Sequence, residues 1–349
     1  MTYLFLYTEL AGYFESCINQ LAKNADSIHI VRFPVNAEAP FKFNFPENVT
    51  VYERNNYTTD QLIKLAKSLQ PDIIFGSGWV DKGYLKVCRH FKGKIPTVMS
   101  MDNHWFGSFK QRLMRLIAPV VIHRSYSHVW APGKPQKEYA LKLGFKDEQI
   151  QEGFYCADVS LFAPEAKYRT ETSKFPHRFI YVGRYIQAKG LDLLFSAFTE
   201  LSDEYNNDWE LWCVGTGDMF DQRVIHPKIK HLGFLQPSEL KEQLRHAGVF
   251  VLPSRFEPWG VVVHEMAAAG FPMICSSAVG AATQFLESGK NGFLFKNEDK
   301  NDLKNKMIKI METNDITLRQ MAHHSQKLGL FYTQEGWVEI LKRFKNLKI

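Results

Sequence analysis

Two glutamates eight positions apart, Glu257 and Glu265, lie in the stretch PSRFEPWGVVVHEMAAAGFP, residues 253–272. Val261 to Val263, followed by Met266, Ala267 and Ala268, reads as a buried helix that Gly270 ends, with Pro272 just beyond. Pro258 suits a first helical turn, where its missing N–H is no loss. Glu257 then stands at or before the helix N-terminus and Glu265 about two turns in, with about 12 Å between their backbones. Upstream, YVGRYIQAKGLDLL ends a strand at Gly183, places Arg184 next, and sets Lys189 and Gly190 where a helix begins. Two cations beside a helix N-terminus make an anion site, because the unpaired N–H groups and the helix dipole favour negative charge. A diphosphate is the natural guest. A nucleoside diphosphate-sugar carries a ribose and a sugar at its two ends. Glu265 would reach the ribose hydroxyls, Glu257 the sugar, and the N–H groups after Glu257 a phosphate. Gly215-Thr216-Gly217 adds a turn where backbone can come close to a ligand, although it falls short of a full GxGxxG.

The elements that must position these residues are strands alternating with helices. TYLFLY, SIHIVRF, VTVYE, DIIFG, IPTVMSM and HVWAP read as strands in the first half, with helical patterns such as Phe14, Cys17, Ile18 and Leu21 between them. The polar stretch FAPEAKYRTETSKFPH (162–177) interrupts the pattern and reads as a linker. RFIYVG, WELWCVG, IKHLGF, GVFVLPS, FPMICSS and GFLF then resume it. Repeated strand–helix–strand order implies α/β architecture with parallel sheets, in two doubly wound domains facing across a cleft. The expected division is an N-terminal domain 1–160, a linker 161–177, a second domain 178–325, and a closing segment 326–349 that can pack back on the first domain.

The chain has 349 residues, 45% apolar and 23% charged, an ordinary globular profile with room for two domains. Its five cysteines show no CxxC and no metal spacing, which reads as reduced thiols and a cytoplasmic setting. The apolar run in MTYLFLYTELAG is too short for a signal peptide and lacks a basic lead, and no window reaches a membrane span. No aromatic-basic RNA motif or basic recognition helix is evident, so nucleic acid is not an expected partner.

VGRYIQAKGLDLLFSAF, LWCVGTGD, HLGFL, VLPSRFEPWGVVVHEMAAAGFPMICSSAVG and SGKNGFLF resemble, in this order, the donor domain of retaining family-four glycosyltransferases with the GT-B fold. The likeness covers roughly residues 178–300, and GFYCADVSLFAP (153–164) is similar to the family's interdomain passage. The resemblance implies that Arg184 and Lys189 hold the donor diphosphate, that Glu265 binds the ribose, and that Glu257 meets the transferred sugar. Gly183, Gly215, Pro258, the amides around Trp259, Gly260 and Val261, and the loop to Leu235 would complete the donor site. It implies no cofactor and no metal, because cations and amides neutralise the leaving diphosphate. The first domain matches less well. Only Gly12 stands for the family's glycine-rich loop, and either Asp102 or His104 in MDNHWFG occupies the slot of its usual histidine. The implied reaction moves a sugar, with retention, from a nucleotide-sugar to a hydroxyl of a glycan or lipid-linked acceptor, by family analogy in bacterial surface polysaccharide or lipopolysaccharide assembly. An epimerase, a phosphorylase or a non-catalytic nucleotide-sugar binder are the alternatives.

From Lys82 to Arg124 there are nine Lys or Arg and one acid, Asp102. Within it, FKQRLMRLIAPVVIHR sets Lys110, Arg112, Arg115 and Arg124 among Leu113, Met114, Leu116, Ile117, Val120 and Val121. The apolar residues either pack inward or touch acyl chains at an anionic membrane face. Pro119 interrupts the helical pattern between them.

Overall fold

The computed structural model describes residues 1–35, 40–205 and 207–347. Residues 36–39 of the expected first domain, residue 206, and residues 348–349 of the expected closing segment lie outside them. The chain divides into unit 1, Met1–Cys156 with Thr333–Ile349, and unit 2, Ala157–Tyr332.

Unit 1 is built on seven strands: β1 (Thr2–Leu6), β2 (Ser27–Arg32), β3 (Val49–Glu53), β4 (Ile73–Ser77), β5 (Thr97–Ser100), β6 (His128–Ala131) and β7 (Ile150–Glu152). They run parallel in the order β3-β2-β1-β4-β5-β6-β7. Side chains alternate between two buried faces, as the strand period requires. Tyr3 and Phe5 of β1 join one apolar cluster with Phe75 and Trp130, while Leu4 and Leu6 join the other with Ile74 and Val129. The first cluster also contains Trp337, Val338, Leu341 and Phe344. The Gln334–Arg343 helix thus belongs to unit 1, packed on the Gly12–Ala22 helix, with the Trp337 indole N–H donating to the Phe154 carbonyl at 2.7 Å.

Unit 2 repeats the plan with β8 (Arg178–Val182), β9 (Glu210–Val214), β10 (Ile229–Gly233), β11 (Val249–Leu252), β12 (Met273–Ser276) and β13 (Gly292–Phe295). Their order is β10-β9-β8-β11-β12-β13, all parallel. Strand order reverses between β8 and β11, and the loops leaving their carboxyl ends diverge there, which opens a crevice in any doubly wound sheet.

The stretch 161–177 is not a free linker. It contains helical turns at Val159–Phe162, Ala163–Ala166 and Lys167–Thr170, and Arg169 is fully buried. The Arg169 guanidinium donates to the carbonyls of Glu165, Leu244, Ala247 and Ala269 and lies 3.8 Å from the Phe271 ring centre. Those carbonyls include the C-terminal ends of the Pro237–Leu244 and Val261–Ala268 helices, where the dipole welcomes a cation. A polar segment became structural because its charge neutralises two helix ends.

Candidate nucleotide-sugar site

The crevice of unit 2 is floored by three loops locked to one another. Gly183 N–H donates to Val214 O, Tyr185 N–H to Thr216 O, and Gly215 N–H to Gly233 O, so the loops after β8, β9 and β10 share backbone bonds. Gly215, at φ 131°, passes so close to the first loop that a Cβ would lie 1.9 Å from the Gly183 carbonyl oxygen. The glycine turn therefore serves loop-to-loop packing and leaves Arg184, which is exposed, at the crevice rim. Leu235 is half-buried just beyond β10.

On the other side of the crevice, the loop after β11 carries Ser254, Arg255 and Glu257. Arg255 N–H donates to Ala188 O, and the Arg255 guanidinium grips both oxygens of Asp192 at 2.6 and 2.7 Å. This stitches the Lys189 segment to the Glu257 segment. Lys189, at the end of the Gln187–Lys189 turn, forms an ion pair with Glu257, which also accepts from the Ser254 hydroxyl at 3.2 Å. Two residues with separate expected roles are in direct contact. A lysine ammonium has three donors, so a bond to Glu257 leaves others for a phosphate.

Pro258 does not lie in the first helical turn. Glu257 bridges to Val279 in strand fashion, Gly280 N–H donates to Glu257 O, and Ala281 N–H to Trp259 O. The chain bends at Pro258, and Gly260, at φ 90°, turns it into the helix Val261–Ala268. Trp259 is buried, and its indole N–H has no acceptor among the described residues. Gly270, at φ 74°, follows the helix end as expected.

Glu265 is half-buried in that helix. Loss of water around its carboxyl, with the nearby Asp158 charge adding to the effect, pushes its pKa from 4.5 up to about 7. Its neighbour His264 is fully buried and stacked on Phe285 at 4.3 Å. His264 Nδ1 accepts from Ala157 N–H at 3.0 Å, and Nε2 must carry the proton because its partner, Gly329 O at 2.9 Å, can only accept. Burial pulls this imidazole down to about 4, so it stays neutral and fixes the helix that presents Glu265.

Arg184, Lys189, Glu257, Trp259, Gly260, Val261 and Glu265 thus all belong to unit 2, with Gly183, Gly215, Leu235 and Pro258. Gly12, Asp102 and His104 belong to unit 1. Gly12 opens the Gly12–Ala22 helix after β1. Asp102 lies just past the end of β5, and its charge reaches the hydroxyls of Tyr7, Tyr13 and Tyr155, whose pKa values are raised first by burial and further by Asp102. Tyr13 also raises those of Tyr7 and Tyr155, while the hydrogen bonds they make to Tyr13 work the other way on its own. The His104 ring instead packs on Phe106 at 3.9 Å. The tyrosine cluster, Ser254, Arg255 and Asp192 escape sequence reading. Arg255 stands two residues before Glu257 and was the one visible hint. Among the described residues no group of three or more His, Cys, Asp or Glu is arranged so that it could hold a metal ion.

Residues 165–328 match the family model described as glycosyl transferases group 1. An uncharacterized glycosyltransferase, MJ1607 of Methanocaldococcus jannaschii, is 34% identical over 120 residues, 32% of this chain and 30% of that protein. The sulfoquinovosyl transferase SQD2 of Arabidopsis thaliana is 30% identical over 162 residues, 42% of this chain and 30% of that protein. The alignments span about a third of the length of these curated relatives. Among solved structures, Anabaena Alr3699/HepE in complex with UDP-glucose superposes with a TM-score of 0.74 at 19% identity, covering 99% of this chain and 100% of that one. That likeness carries the fold, GT-B, with its two doubly wound α/β domains.

Proposed function

We propose that this chain, whose residues 165–328 form a glycosyl transferases group 1 domain, transfers a sugar from a nucleoside diphosphate-sugar to a hydroxyl acceptor. The observation that carries the proposal is the contact of Lys189 with Glu257 at the β8/β11 switch point, with Arg184 on the loop after β8 and Glu265 on the helix that follows Gly260. Arg184 and Lys189 meet the diphosphate with the N–H groups of the first turn after Gly260. Glu265 accepts from the ribose hydroxyls. Glu257, buried against Lys189, faces the sugar. The cations stabilise the departing diphosphate as its charge grows, the step where fixed donors contribute most. Transfer proceeds with retention and without a metal, and the acceptor meets unit 1 near Asp102 and its tyrosines. A structure in complex with UDP-glucose among the fold neighbours supports a uridine nucleotide as first candidate. Five buried cysteines, none in a disulfide, fit a reducing cytoplasm, and bacterial surface glycans are the favoured setting.

The test incubates the protein with UDP-, GDP- and ADP-sugars and glycan acceptors, with and without chelator, and reads products by NMR. One donor should yield a glycoside with its anomeric configuration kept, undiminished by chelation. Products formed from donor alone would indicate an epimerase, and phosphate dependence a phosphorylase. Binding without any turnover would indicate a non-catalytic binder.

A further inference from the structure

The helix Phe109–Val121 in unit 1 turns its apolar side outward. Ala118 is its only buried residue, and with Met114, Val121 and the following Ile122 it forms the stripe that packs on the core. On the opposite side Phe109 is 81% exposed, Leu116 77% and Val120 53%, with Leu113 and Ile117 also exposed. At about 100° per residue these five fall within an arc of about 100°. Lys110 and Arg112 stand at the two edges of that arc, and Arg115 lies beyond Arg112. Pro119 does not end the helix, which runs on to Val121. The preceding loop extends the platform. Gln111 ties it down by accepting from Phe106 N–H at 2.8 Å and donating to His104 O at 2.7 Å, while Arg112 donates to Gly107 O, and Phe106 adds a further exposed ring.

We infer that this face is an interfacial docking surface that lies on a bilayer rich in anionic lipid. Between Lys82 and Arg124 the only acid is Asp102, so the neighbourhood offers the surrounding positive field that an anionic headgroup layer neutralises. An apolar arc bordered by cations is the arrangement that buries its centre among acyl chains and leaves its margins at the headgroups. No helix among the described residues is long and apolar enough to cross a membrane, so the contact is a surface one. The inference rests on unit 1 alone and is independent of the function proposed from unit 2.

Co-sedimentation with phosphatidylglycerol–phosphatidylcholine vesicles and with pure phosphatidylcholine vesicles, at low and high salt, tests it. Binding to the anionic vesicles should exceed that to neutral ones at least about tenfold at low salt and decline with salt. Each near-surface cation is worth about fivefold in partitioning, so replacing both Lys110 and Arg112 by Ala should lower it about thirtyfold. Leu116→Glu should abolish binding with an unchanged circular dichroism spectrum, since Leu116 packs on little in the fold. Absence of binding to anionic vesicles overturns the inference, as does unchanged binding by Leu116→Glu. So does a dimer in light scattering that Leu116→Glu dissociates while no vesicle binding is seen, which assigns the face to a second copy.

Discussion

Lys189 and Glu257 neutralise each other in a largely water-excluded corner, with side-chain exposures of 17% and 11%. Removing one partner strands the other. Lys189→Ala should destabilise unit 2 by about 2 kcal/mol, less than for a fully buried pair because some solvent reaches both groups. The double variant with Glu257→Gln should recover part of that loss, whereas transfer should fall about a hundredfold in Lys189→Ala and stay low in the double variant. Additive stability losses in denaturant titrations would contradict the pairing.

Glu265 gives a pH signature. Its folded pKa near 7 lies above its ordinary 4.5, so the folded state holds more protons between those values, and stability falls as pH rises through that window. Glu265→Gln should therefore flatten the pH dependence of melting and leave the protein more stable than wild type at pH about 8. Binding has the opposite slope, because ribose hydroxyls donate to the carboxylate. Affinity for a nucleotide-sugar, whose phosphates do not titrate in this range, should drop about tenfold per pH unit below about 7 in the wild type only. Parallel profiles for wild type and Glu265→Gln would remove Glu265 from the ribose.

At the scale of elements, the Val261–Ala268 helix is held by what lies around it. His264 fixes its middle, and Arg169 gathers Ala269 O at its end together with Leu244 O and Ala247 O. Arg169→Lys keeps the charge and loses the fork, so it cannot reach carbonyls in three directions. We expect a loss of about 3 kcal/mol or more in urea titrations of the unit 2 transition, and a loss under about 1 kcal/mol would contradict the role. The strands were legible because those buried on both faces are unbroken apolar runs, such as Ile73-Ile74-Phe75 and Val249 to Leu252. The segment around Arg169 was not, because its polarity resembles a linker and, Glu165 apart, its acceptors lie 75 to 100 residues away. Likewise, the types of Lys189 and Glu257 were readable, but their contact depends on Arg255 finding Asp192. The helix starts later than its sequence suggests because Glu257 to Trp259 are tied instead to Val279 to Ala281.

For the whole molecule, the two units have separate sheets, and unit 1 is completed by the last segment of the chain. Trp337 sits 4.8 Å from Trp130 and 6.3 Å from Phe14, ring centre to ring centre. Trp337→Ala should cost unit 1 about 3–5 kcal/mol through the cavity it leaves. Calorimetry should show its effect on one unfolding transition, while a nucleoside diphosphate at a hundred times its dissociation constant raises the other by about 2.7 kcal/mol. A ligand shift confined to the transition that Trp337→Ala weakens would place the nucleotide on unit 1.

Calorimetric titration of UDP-, GDP- and ADP-glucose into the wild type and into Arg184→Ala, Lys189→Ala and Glu265→Gln tests the nucleotide-sugar site most directly. One nucleotide should bind, and each variant should weaken it about tenfold or more, the equivalent of about 1.4 kcal/mol per lost contact. No binding by any of the three, or variants that bind as the wild type does, would contradict a donor site at the β8/β11 crevice.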